Sequence, residues 1–145
     1  MSITPQVEPI ARIKSRQIFD LLKSGKRLDG RGPDQYRPIN IQPGVIGKAE
    51  GSAMCTLGNT RTLVGVKVEL GPPYSDTPNM GVLTVNAELL PLAHAIFEPG
   101  PPDENSIELA RVVDRSIRES KTIDLEQLII VPGKLAYIVF VDIYI

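Results

Sequence analysis

The chain has 145 residues, 42% of them hydrophobic and 23% charged, with 16 basic against 17 acidic side chains and a formal net charge of -1. That length accommodates one domain with a real core, and so even a charge balance announces no nucleic-acid binding through bulk charge. One cysteine and one histidine rule out a disulfide framework and most zinc sites. No apolar run reaches the roughly 18 residues of a membrane span, and the N-terminus lacks an apolar signal core. The expectation is a soluble, cytoplasmic protein without membrane contact.

The first element is an amphipathic helix over residues 10–24. Ile10, Ile13, Ile18, Leu21 and Leu22 mark its apolar stripe, Arg12, Lys14, Arg16 and Lys23 lie off it, and Gly25 is its stop. Residues 1–28 form a helical arm, and "LDGRGPDQYRP" begins a loop rich in turn residues. Strands follow. "INIQPGVIG" is broken by Pro43-Gly44, and "GSAMCTL" and "TRTLVGVKVEL" flank Gly58-Asn59, a two-residue hairpin signal. "VLTVNAELLPLA" reads as a strand giving way to a turn, between the proline-rich loops "GPPYSDTPNMG" and "FEPGPPDEN". A second helix runs from within Pro101–Lys121, and "LEQLIIV", Pro132-Gly133-Lys134 and "LAYIVFVDIYI" make a further hairpin. Hairpins dominate and no βαβα rhythm recurs, so residues 29–145 are expected to be α+β, two layers, with a mixed or antiparallel sheet covered by helices.

Two features stand out along this order. The apolar run at the end of the sequence has no closing turn residue, and a bare hydrophobic strand needs its edges and faces covered. The chain is therefore expected to be the N-terminal part of a longer, incomplete domain. Charge is also unevenly spread: residues 68–110 hold seven acids and no Lys or Arg, whereas residues 1–31 hold seven basic residues against three acids. The acidic span suits a basic partner.

The second helix carries the main candidate site. Arg111, Arg115 and Arg118 fall within about 60° of one another at helical spacing, with Leu109, Ala110, Val113 and Ile117 on the opposite side. Such a stripe is either a solvated face tied by the pairs Glu108–Arg111, Asp114–Arg118 and Arg115–Glu119, or a surface for a polyanion, which the planar guanidinium fork binds well. Asp103 and Glu104, beside Asn105 and Ser106, read as helix capping rather than as acid–base chemistry. Asp29-Gly30-Arg31 reads as turn chemistry, with Arg31 and Arg37 free to hold the arm to the domain or to a neighbour. Arg61 beside the hairpin turn reads as exposed charge. Cys55, in an alternating run, is a small core residue.

"RLDGRGPDQYRPI", "GSAMCTLGNT" and "VNAELLPLA" stand in the order and spacing of the ribonuclease PH family, and the chain resembles that family over nearly all of residues 10–145. "FEPGPPDENSIELARVVDRSIRESK" resembles, more narrowly, the branch of non-catalytic ring subunits of the archaeal exosome. The resemblance implies a ribonuclease-PH-like domain in a hexameric ring, alternating with a catalytic paralogue and bearing RNA-binding cap subunits. Single-stranded RNA threads such a ring and is degraded 3′ to 5′ by inorganic phosphate, which the catalytic partner uses; this subunit needs no cofactor and no metal. It implies that Arg111 and Arg115 contact RNA phosphates and that no residue here is catalytic; Arg118 is either a further RNA contact or structural, and Arg61 either a further, channel-facing RNA contact or exposed hairpin charge. The family's Gly-Ser/Thr-Arg phosphate motif and catalytic aspartate follow the final strand. After Gly71-Pro72, where active members carry basic residues, "PYSDTPNMG" has none. The competing readings are a phosphorolytic 3′–5′ exoribonuclease in its own right and a purely structural assembly subunit.

Overall fold

A computed structural model describes residues 7–94 and 96–145, with side chains inside the first helix described from residue 13 onward. The side chains of Ile10 and Arg12, assigned above to the first helix, lie outside the described residues. The chain divides into two compact units, Met1–Arg37 and Pro38–Ile145.

In the first unit, helix α1 spans Val7–Lys23. It stops at Gly25, whose φ of 73° suits a residue without a Cβ. The N–H of Gly25 bonds to the carbonyl of Leu22, and that of Lys26 to Leu21, the two bonds of a Schellman cap. Ile13, Phe19 and Leu22 on this helix are exposed. The loop after it closes on itself: Arg31 Nε donates to Asp29 at 2.6 Å, its Nη1 donates to the Gln35 carbonyl, and the Gln35 side chain accepts from the Gly32 N–H. The Arg27 N–H also bonds to the Arg31 carbonyl, and the first compact unit runs to Arg37, whereas the sequence reading divides the chain after residue 28.

The second unit is built on a six-stranded sheet. Its strands are β1 (Ile39–Pro43), β2 (Gly51–Leu57), β3 (Thr60–Gly71), β4 (Val82–Glu88), β5 (Ile129–Val131) and β6 (Leu135–Tyr144). The order is β1-β2-β3-β6-β4, with β5 also paired to β6. All pairs are antiparallel except β4 with β6, which are parallel. The sheet is thus mixed. A parallel pair demands a long crossover, and here helix α2, Glu104–Ser120, lies within it. The crossover sets α2 against β4. The β2–β3 turn is the two-residue one expected at Gly58-Asn59, with Leu57 opposite Thr60 and Gly58 at φ 62°.

Alternation along the strands builds the core. Val139, Val141 and Ile143 of β6 are buried together with Leu83 and Ala87 of β4 and Leu125. Leu109, Ala110, Val113 and Ile117 of α2 pack against them, as do Val64, Val66 and Val68 of β3. The side chains between these, among them Asn86, Phe140 and Asp142, point to the other face. At the far edge β1 is exposed throughout, with Ile39 and Ile41 more than half accessible.

Three expectations change. The final apolar run is not a bare strand: β6 is central, with β3 on one side and β4 on the other. The first arm of the last hairpin is mostly not strand, because Asp124 caps a 3-10 turn over Leu125–Leu128 by accepting from the Glu126 N–H, which leaves β5 three residues. Cys55 is half-buried rather than core. It sits on β2 opposite Ile41 of the exposed edge strand.

Candidate nucleic-acid interface

Helix α2 is fixed at both ends. Asp103 is its N-cap: Oδ1 accepts from the Ser106 N–H at 2.8 Å and Oδ2 from the Asn105 side chain at 3.2 Å. The hydrogen bonds donated by Ser106 hold the Asp103 carboxyl below its ordinary 3.8. Glu104 adds negative charge in the first turn, where it opposes the positive end of the helix dipole. Capping therefore accounts for both carboxylates. At the other end Lys121 takes the left-handed conformation, φ 52°, and its N–H bonds to the Arg118 carbonyl at 3.2 Å.

The helix lies along the outermost strand on its side of the sheet. Between α2 and β4 runs a groove of about 480 Å³ lined by Val85–Ala87, Pro102, Ser106, Ala110, Asp114, Arg111 and Arg115. Ser106 is only 3% exposed. The sequence reading places the arginine stripe opposite the apolar face. The structure instead sets Arg111 and Arg115 on the flank of the helix, on the groove wall with Ala110 and Asp114, because a helix seated on an edge strand overhangs that edge.

The three arginines differ in engagement. Among the described residues no ion pair involves Arg111, and the expected Glu108–Arg111 pair does not form. Arg115 lies 3.5 Å from Glu119 with both side chains more than 70% exposed, an arrangement worth little. Arg118 is held: its Nε donates to Asp114 Oδ2 at 2.8 Å and its Nη2 to the Leu83 carbonyl of β4 at 2.8 Å. Two cationic forks thus line the groove and the third is tied to protein acceptors.

Arg61 is elsewhere. It lines a separate, larger concavity of about 930 Å³ with Leu63, Leu90, Phe97 and Tyr144, which shares no lining residue with the α2 groove. Lys67 is engaged by Glu50 at 2.8 Å, which keeps the Glu50 carboxyl below its ordinary range. Arg31 is engaged by Asp29, and its hydrogen bond lowers the Asp29 pKa likewise. One polar pair escaped the sequence reading: Asn86 Nδ2 donates to Asp142 Oδ1 at 3.1 Å across β4 and β6. Asp142 was nevertheless visible as the lone charge in "LAYIVFVDIYI". No group of three or more potential metal ligands occurs among the described residues, and no described helix is long and apolar enough to cross a membrane.

Residues 35–145 match the domain described as 3' exoribonuclease family, domain 1. The chain belongs to this family, the ribonuclease PH family. It is 59% identical over 138 residues to the exosome complex component Rrp42 of Pyrococcus abyssi, covering 95% of this chain and 50% of that protein. To the component of the same name from Methanopyrus kandleri it is 57% identical over 136 residues, covering 94% and 51%. Among solved structures, a chain of the Archaeoglobus fulgidus exosome with RNA bound to the active site matches at 57% identity and a TM-score of 0.87, over 93% of this chain and 53% of that one. A chain of an archaeal exosome core matches at 50% identity and a TM-score of 0.80, over 96% and 52%. The chain spans about half the length of the curated relatives it matches.

Proposed function

We propose that this chain belongs to a non-catalytic subunit of an archaeal exosome ring, which binds single-stranded RNA and guides it to a catalytic ribonuclease-PH-like partner. The partner supplies the inorganic phosphate site and degrades RNA from the 3′ end; capping subunits deliver the RNA, and the complex works in the cytoplasm. The observation that carries this reading is the α2 groove, where among the described residues Arg111 has no ion pair and Arg115 only a weak one, on a helix capped at both ends. Two always-charged forks on a fixed support bind phosphates without reading bases. That is what a channel passing any sequence requires. The names of the relatives favour this guiding role over an independent exoribonuclease.

Reconstitution tests it. The full-length subunit alone is expected to release no nucleoside diphosphates from single-stranded RNA in the presence of phosphate. Added to the catalytic paralogue, it is expected to accelerate that release and to tighten RNA binding. Phosphate-dependent cleavage by the subunit alone, or a paralogue indifferent to its addition, overturns the proposal.

A further inference from the structure

Resting on that reading of the groove, we infer that Arg118 is a positioning residue for RNA rather than a third phosphate contact, and that Asp114 is its anchor. The guanidinium spans two elements. Nε donates to Asp114 one turn earlier on α2, and Nη2 donates to the backbone carbonyl of Leu83 on β4, 35 residues away in the chain. Both bonds are 2.8 Å. Asp114 is half-buried, with its side chain 28% exposed, and lines the same groove as Arg111 and Arg115. An acid at that place repels an incoming phosphate. Its presence makes sense if it holds the Arg118 fork in plane for the Leu83 carbonyl.

The consequence is mechanical. The apolar packing of α2 is non-directional and permits small rotations about the helix axis. A directed, charge-assisted bond from helix to strand restricts that rotation. Arg111 and Arg115, two turns and one turn before Arg118, then keep a defined angle to the groove. Preorganisation of this kind lowers the cost of binding without adding an interaction.

The test uses the ring assembled from full-length subunits and labelled single-stranded RNA, with four variants. Arg118→Lys keeps the charge but loses the planar fork; affinity is expected to fall about 3- to 10-fold, the scale of one ordinary net hydrogen bond. Near-native affinity for this variant would overturn the inference, since charge alone would then matter. Arg118→Met is expected to weaken binding similarly with an unchanged salt slope, whereas removal of a direct phosphate partner flattens the slope by about 0.7. Asp114→Ala separates the readings by sign: removal of a negative charge beside the groove tightens binding if electrostatics alone rule, and weakens it if Asp114 anchors Arg118. Amide hydrogen exchange without RNA is expected to quicken in residues 107–118 for all three variants; unchanged exchange overturns the inference whatever the RNA data show. The fourth variant, Arg111→Ala with Arg115→Ala, isolates the underlying reading. If it leaves affinity and slope intact the RNA assignment fails, and exchange alone then judges the Arg118 tie.

Discussion

Replacing Arg111 and Arg115 together by alanine probes the groove most directly. The two Cα atoms stand four residues apart, about 6 Å along the helix axis, close to the phosphate spacing of a stacked or slightly extended strand. Each single-strand phosphate that no longer meets a cation flattens the dependence of log affinity on log salt by about 0.7, so the double change is expected to flatten it by about 1.4. Between about 50 and 200 mM salt the unmodified ring then loses about 7-fold more affinity than the variant. The neighbouring acid does not reverse this expectation. The Arg115–Glu119 pair, at 3.5 Å and largely exposed, is worth about 0.3–0.5 kcal/mol, and a phosphate that releases counterions displaces it. Fluorescence anisotropy with several labelled RNA sequences at graded salt is the assay, and the drop in affinity is expected to be alike for all of them. Thermal stability is expected to hardly move, since Arg111 and Arg115 are exposed. An unchanged affinity and an unchanged slope would refute the reasoning and leave the stripe a solvated face.

Two further expectations concern the fold that holds the groove. Asp103→Asn keeps an N-cap side chain but removes its titration. The Asp103 carboxyl is held below 3.8 when folded, so it contributes stability above that value and loses it as pH falls through the depressed folded pKa. The melting temperatures of the native protein and this variant are expected to converge below pH 3.8, and a gap that stays constant there would count against the capping bonds. The sheet gives a second contrast: Ile143→Ala removes a side chain that is 6% exposed and is expected to cost about 2–5 kcal/mol, whereas Ile41→Ala, at a site 63% exposed, is expected to stay within about 0.5 kcal/mol. Denaturant unfolding of the chain measures both, and equal costs would contradict the assigned faces.

What the sequence determined by itself was local. The period of Leu109, Val113 and Ile117 marked the buried face of α2, Asp103 marked its start, Gly25 ended α1, and Gly58-Asn59 closed the β2–β3 hairpin. Each depends on neighbours a few residues apart, where helix spacing, capping and left-handed glycine conformations leave a readable pattern. The α+β class followed from their order, and the family followed from dispersed motifs. Tertiary structure decided the rest. The final apolar run gave no sign that β3 and β4 would flank it, because strand pairing joins residues far apart along the chain and the run reads alike at an edge or a centre. The run around Cys55 suggested a core position, but only the packing left Cys55 half-buried, on a strand outside the cluster that α2 covers. The arginine stripe is the sharpest case. Its three members are equivalent by helical spacing, yet a carbonyl at Leu83, brought to the helix by the β4–α2 crossover, holds Arg118 while Arg111 and Arg115 remain available to the groove. A backbone acceptor leaves no mark on side-chain identity, so the tie of Arg118 to β4 was written only in three dimensions.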